Sequence, residues 1–208
     1  MHWRGSSIET DAALQKSFSM DSILDFIGPA QAAALIVLLQ RGLEEALSMR
    51  NTRRLLAQGA HEEGANYYPV VAVSHLGWIA AIFFLIPSDA GIIWPLLAVY
   101  FVLQVARYWI IGTLRRYWTH RIITLEGAPI ERRGPYRWVR HPNYVVTVLE
   151  TLVLPLAFGA IALALIMTAI WTAVVRYKIV LEDAALKERR RAASGNLQQS
   201  LGEVPRAK

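Results

Sequence analysis

The segment Arg133–Tyr144 reads Arg-Gly-Pro-Tyr-Arg-Trp-Val-Arg-His-Pro-Asn-Tyr and gathers side chains suited to binding a charged small molecule. Gly134-Pro135 and His141-Pro142 are turn-forming dipeptides. Between them lie Tyr136, Arg137, Trp138 and Arg140. Pro142 suits the first turn of a following helix, because the N–H it lacks would be unsatisfied there anyway. The free N–H groups of that helix start can receive an anionic group such as a carboxylate. A basic loop with interfacial Trp and Tyr anchors explains the arginines and Trp138. It does not explain a His-Pro pair abutting an apolar helix.

Two more features extend the constellation. Glu150 follows His141 within a run of Val145, Val146, Val148, Leu149, Leu152 and Val153. A carboxylate in such a run needs a partner or a polar cavity, so function is the first hypothesis for it. The alternative is a structural pair, with Gln104 and Arg107 as partners on one face of an earlier helix. Arg107 is also able to snorkel to the surface. Further on, Arg176, Lys178, Glu182 and Asp183 close the last apolar run, with Lys178 and Glu182 four apart and therefore on one face. Ordinary ion pairing at a helix end is the competing explanation. His75 reads as a satisfied buried histidine, and no His–Glu pair has helical metal-ligand spacing, so no metal site is expected.

These residues must be positioned by membrane helices. Long uncharged runs alternate with arginine-rich stretches, and 54% of the 208 residues are apolar, the pattern of a polytopic all-α membrane protein. A soluble all-α bundle would need polar helix faces. Five apolar helices are expected near Ile27–Leu43, Val70–Ile86, Gly91–Ile111, Asn143–Leu156 and Ile161–Leu181. The fourth, at about 21 Å, is short of a hydrocarbon core of about 30 Å. It pairs with the fifth as a tight hairpin through Pro155 and Gly159. The hairpin brings His141 and Tyr144 beside the Lys178–Asp183 face.

Charge orients the set. Gly112–Pro142 carries Arg115, Arg116, Arg121, Arg132, Arg133, Arg137 and Arg140, and the Arg41–Arg54 stretch and the tail are also basic. All three belong on the cytoplasmic side of the cell (inner) membrane, with an external N-terminus and five spans. The organisation expected is an external segment over 1–26, a membrane domain over 27–191 and a disordered tail over 192–208. The excess positive charge follows from this topology, so no nucleic-acid partner is implied. No signal peptide is expected, and the first helix serves as its own insertion signal. There is no cysteine, which excludes disulfides and thiolate chemistry. No G-x-G-x-x-G or Walker loop is present, hence no Rossmann domain. No internal repeat supports a transporter plan.

Gly134-Pro135-Tyr136, then Arg140-His141-Pro142-Asn143-Tyr144, then the distal pair Glu182-Asp183 resembles the isoprenylcysteine carboxyl methyltransferase family over about residues 115–186. Ser48–Gly64, a following Tyr-Pro and Glu150 resemble the bacterial branch associated with methylating alkylpyrones. The resemblance implies S-adenosylmethionine bound without a Rossmann fold, by main chain near Ala128, Pro129, Ile130 and Glu131, by Tyr136, His141, Pro142, Asn143 and Tyr144, and by Glu182, with Arg121 able to contribute. It implies O-methylation of a carboxylate or acidic enol on a lipophilic or lipidated substrate that enters from the membrane lipids. The family has arginine at a substrate-side position where this chain has Lys178, which keeps the charge but loses the two-pronged geometry. Arg176 is a second candidate there, and Glu150 a third catalytic candidate. An NADPH-dependent membrane reductase of steroid-like lipids and a non-catalytic scaffold or transporter are the competing readings.

Overall fold

The computed structural model describes residues 26–202 apart from 127, 129 and 130. Five α-helices carry the described fold: α1 (Pro29–Leu56), α2 (Tyr68–Leu85), α3 (Trp94–Leu114), α4 (Pro142–Ala157) and α5 (Ile161–Gly202). A two-stranded antiparallel ribbon joins β1 (His61–Glu63) to β2 (Ile122–Thr124), with Glu62 opposite Ile123. The all-α, non-Rossmann class expected from the sequence is what the chain adopts. Three stretches, Ala65–Leu85, Trp94–Tyr117 and Ile161–Ala184, are long and apolar enough to cross a membrane. α4 is the short apolar helix, at 16 residues.

Local chemistry explains the boundaries. Proline occupies the first turn of α1 to α4, where its missing N–H costs nothing. α2 stops before Pro87, which forces Ile86 into extended backbone. The open carbonyls of Phe83 and Ile86 accept from Gln31 Nε2 at 3.0 and 2.7 Å, so the start of α1 satisfies the end of α2. That contact is close, since a Cβ on Gly28 would fall 1.7 Å from the Ser88 carbonyl oxygen. Gly159, at φ +74°, turns the chain between α4 and α5, and Ile93 N–H bonds the last carbonyl of α4 at 2.8 Å.

Two helices run further than the sequence suggests. α1 continues thirteen residues past Leu43 to Leu56, because Glu44, Ser48 and Asn51 turn inward rather than ending the helix. α5 continues past Ala192 to Gly202, through a stretch in which the helix formers Ala193, Leu197, Gln198, Gln199 and Leu201 alternate with Ser, Gly and Asn. The N-terminal segment expected to be external, except Phe26, and residues 203–208 of the tail lie outside the described residues.

Packing is arranged for lipid. Large apolar side chains such as Ile36, Leu39, Phe84, Val102 and Val105 face outward, whereas polar ones are turned in. An apolar cluster of Ala30, Ala34, Val37, Trp78, Ile82 and Leu154 joins α1, α2 and α4. Beside it lies a closed ionic group. Glu150, 1% exposed, accepts from Arg41 Nη2 (2.7 Å), Gln104 Nε2 (2.9 Å), and Nε (2.8 Å) and Nη2 of Arg107. Arg41 also bonds Glu44 at 2.5 Å, and Arg107 bonds Thr147 at 2.9 Å. Gln40 bridges Glu44 and Gln104 at 3.0 and 2.7 Å. Two guanidiniums and two carboxylates cancel, and their bonds tie α1, α3 and α4 together. Arg41 is therefore an internal ligand, not part of the interfacial basic stretch.

Removing one partner of such a group leaves a buried charge uncompensated, which costs about 3–5 kcal/mol. Glu150→Ala should lower the midpoint of thermal unfolding in detergent sharply. Glu150→Ala melting like the parent protein would contradict a structural hub.

Candidate active site

The cavity opens where four pieces of chain meet. The loop 131–141 is held against the end of α3 by Gly134, whose φ of +55° starts a 3-10 turn over Gly134–Arg137. A Cβ there would meet Thr113 Oγ1 at 2.8 Å and Trp109 Nε1 at 3.3 Å. The chain then bends at His141, and Pro142 starts α4, with Tyr144 N–H returning to the His141 carbonyl at 3.2 Å. Across from it runs the α5 face bearing Lys178, Glu182 and Asp183. The fourth wall is the turn at Tyr117–Thr119. Together they enclose a cavity of about 970 Å³, large enough for a cofactor-sized ligand.

The two acidic residues face the helix start. Tyr144 donates its phenol O–H to Glu182 Oε2 at 2.5 Å. His141 Nδ1 lies 3.7 Å from Glu182 Oε2, and His141 Nε2 lies 3.4 Å from Asp183 Oδ1. The imidazole stacks on the Tyr144 ring with centroids 5.4 Å apart and planes at 15°. Lys178 donates to the His120 carbonyl at 2.7 Å and stands 5.1 Å from the centre of the Tyr144 ring. Burial, then the nearby Glu182 carboxylate, push the Tyr136 phenol up, so it remains a neutral donor near neutrality. His141 Nε2 and Asn143 Oδ1 are buried without a hydrogen-bond partner. Buried polar atoms are almost always satisfied, so these two atoms at the cavity wall are open to a polar ligand, His141 Nε2 having only its 3.4 Å contact with Asp183.

The sequence-derived site divides under this geometry. Tyr136, His141, Asn143, Tyr144, Lys178 and Glu182 all line the cavity, joined by Asp183. Glu131 lines it too, with its carboxylate held by Nε and Nη2 of Arg133 at 3.0 Å each, which lowers its pKa to about 2. Pro142 is buried and serves as the start of α4. Four of the described candidates stand elsewhere. Glu150 is absorbed in the ionic group between helices, among the very partners Gln104 and Arg107 that the structural reading named. Arg176 projects from the exposed side of α5, because two residues along a helix is a rotation of about 200° away from the Lys178 face. Arg121 is engaged by Glu62 at 2.8 and 2.9 Å and lies 4.3 Å over the Tyr68 ring, which locks the β-ribbon to α2. Ala128 does not line the cavity, and Pro129 and Ile130 lie outside the described residues.

Trp118 and Thr119 were missed as lining residues. Their position depends on α1, where Asn51 Nδ2 donates to the carbonyls of Arg115 (3.1 Å) and Trp118 (2.8 Å). Nothing in the local sequence around Trp118 announces this; the only signal is the Ser48 to Gly64 stretch far upstream. Among the described residues, no group of three or more His, Asp or Glu is arranged to hold a metal ion.

A family model described as the isoprenylcysteine carboxyl methyltransferase (ICMT) family matches residues 96–188. The chain is 31% identical over 157 residues to the uncharacterized protein YpbQ of Bacillus subtilis, which covers 74% of this chain and 94% of that protein. It is 26% identical over 151 residues to an uncharacterized protein of Haemophilus influenzae, covering 68% of this chain and 85% of that protein. No solved structure gives a significant match.

Gly134 is the residue of this wall that other side chains cannot replace. In Gly134→Ala, left-handed backbone adds about 1–2 kcal/mol, and the contact with Thr113 adds to it. The variant should unfold at lower temperature, and Thr113→Ala in the same chain should recover only part of the loss. Full recovery would mean that the backbone angle is not the constraint.

Proposed function

The chain belongs to the isoprenylcysteine carboxyl methyltransferase family, and on that premise we propose that it is an S-adenosylmethionine-dependent O-methyltransferase acting on a carboxylate or acidic enol of a lipophilic acceptor. The observation that carries the reading is the pairing of His141, Asn143 and Tyr144 with Glu182 and Asp183 across one cavity. A cationic, zwitterionic cofactor suits this lining. Glu182 and Asp183 favour positive groups, and Tyr136 and Tyr144 add aromatic rings to the lining, whose faces attract a cation. His141 Nε2 and Asn143 Oδ1, neither of which makes a hydrogen bond within the chain, supply hydrogen-bonding positions of both kinds.

When bound, S-adenosylmethionine would supply a methyl carbon whose bond to sulfur breaks as its bond to the acceptor oxygen forms, the electron pair leaving on sulfur. The chain's own residues do the rest. Carboxylates and acidic enols are ionised near neutrality, so no strong base is required. Lys178, buried and directed at the cavity, holds the anion in line for the transfer, and alignment of this kind supplies much of the rate. Tyr144 and His141 keep Glu182 fixed, so the acidic wall is in place before ligand arrives. Lys178 takes the role that the family gives to arginine, as a point charge and not a fork. The lipid tail enters between helices, and the cofactor enters from the cytoplasmic side of the inner membrane, with the N-terminus outside.

Calorimetry with S-adenosylhomocysteine tests the reading. The wild-type protein should bind it, and Glu182→Ala should weaken binding tenfold or more, since a hydrogen bond to a charged group contributes about 1.5–3 kcal/mol. Binding of NADPH with none of S-adenosylhomocysteine would favour the reductase, and binding of neither by folded protein would favour a scaffold.

A further inference from the structure

Lys178 is 8% exposed, and among the described residues no carboxylate lies within ion-pair distance of its ammonium. Its nearest anchors are the His120 carbonyl at 2.7 Å and the Tyr144 ring. An ammonium this enclosed is expensive unless an anion reaches it, and its side chain lines the cavity. Where that ammonium stands therefore depends on where the His120 carbonyl stands.

The carbonyl is not fixed by its own loop. His120 N–H donates to Ser48 Oγ at 2.8 Å, and His120 Nδ1 lies 2.7 Å from Glu45 Oε2. Asn51 holds the same loop at the carbonyls of Arg115 and Trp118. Glu45, Ser48 and Asn51 stand three apart, hence along one side of α1, and none of them lines the cavity. Tyr67 pins the other partner, donating to the Val174 carbonyl of α5 at 2.6 Å, one turn before Lys178.

We infer that Glu45, Ser48 and Asn51 form a latch that positions Lys178 for an anionic methyl acceptor, acting through the main chain of His120. They are positioning residues, and they serve the acceptor side of the cavity, not the cofactor side built by His141 and Glu182. The role of the anion rests on the methyltransferase reading; the latch itself rests on the geometry alone. The stretch of α1 that resembles the bacterial branch of the family thereby acquires a task.

The test compares wild type with Glu45→Gln/Ser48→Ala and with Ser48→Thr, which keeps the hydroxyl. Acetylation by an N-hydroxysuccinimide ester is followed at Lys178 by peptide mass spectrometry, with exposed Lys187 as internal reference. Lys178 should react slowly in wild type and Ser48→Thr, and severalfold faster in the double variant. Methyl transfer from labelled cofactor into a total bacterial lipid extract should fall at least tenfold in the double variant, with affinity for S-adenosylhomocysteine unchanged. Should the double variant not fold, Ser48→Ala alone is compared in the same way. Unchanged Lys178 labelling overturns the latch, and so does loss of S-adenosylhomocysteine affinity in proportion to transfer. A wild-type protein that binds no S-adenosylhomocysteine overturns the methyltransferase reading instead, and the labelling result then judges the latch by itself.

Discussion

The carboxylate of Glu150 sits where neither water nor lipid headgroup reaches it, and it is held by donors from α1 and α3. In a low-dielectric interior an unpaired charge is costly, so Arg41, Glu44, Arg107 and Glu150 are all present together or the helices cannot pack as they do. Helices in lipid have little hydrophobic reason to choose one register over another. A neutral four-charge group supplies that reason, because a shift of one turn on any helix would part at least one pair. The register of α4 against α1 and α3 follows from it, and with that register the position of the α4 start, where His141 and Asn143 enter the cavity.

α1 is the ruler along which this is laid out. Gln31 closes the end of α2, Arg41 and Glu44 enter the ionic group, and Glu45, Ser48 and Asn51 hold the loop beneath it. One inward polar stripe thus links the middle of the bundle to the floor of the cavity. The opposite face of the same helix shows Ile36, Leu39 and Leu43 outward. The cavity is then divided in character. Along the α5 wall, Glu182 and Asp183 are acidic and suited to a cation, and one turn earlier Lys178 offers a positive charge that, among the described residues, has no carboxylate within ion-pair distance.

Much of this was legible in the sequence where chemistry is local. Uncharged runs and prolines marked the cores of the helices, and the short α4–α5 connection brought His141 and Tyr144 to Lys178 and Glu182. Residues whose meaning depends on direction were less legible. Arg41 reads like any interfacial arginine until α1 is seen to continue past Leu43. Arg176 and Lys178 differ by two positions, yet only one faces the cavity. Arg121 looked like a ligand for a cofactor, and is instead bound by Glu62, whose position depends on a two-stranded ribbon too short to register as a periodic pattern. Glu150 drew attention because a buried carboxylate needs an explanation; composition alone cannot tell whether that explanation is a substrate or a neighbouring guanidinium.

A structure of the protein with bound S-adenosylhomocysteine tests the central claim most directly, that the α4 start and the α5 acidic face form one cofactor site held in register by the buried charges. The account predicts ligand density in the cavity, in contact with Glu182 and with His141 or Asn143, while the bonds around Glu150 stay as they are. Ligand bound outside that cavity, or bound there only after Glu150 has left Arg41 and Arg107, would contradict it.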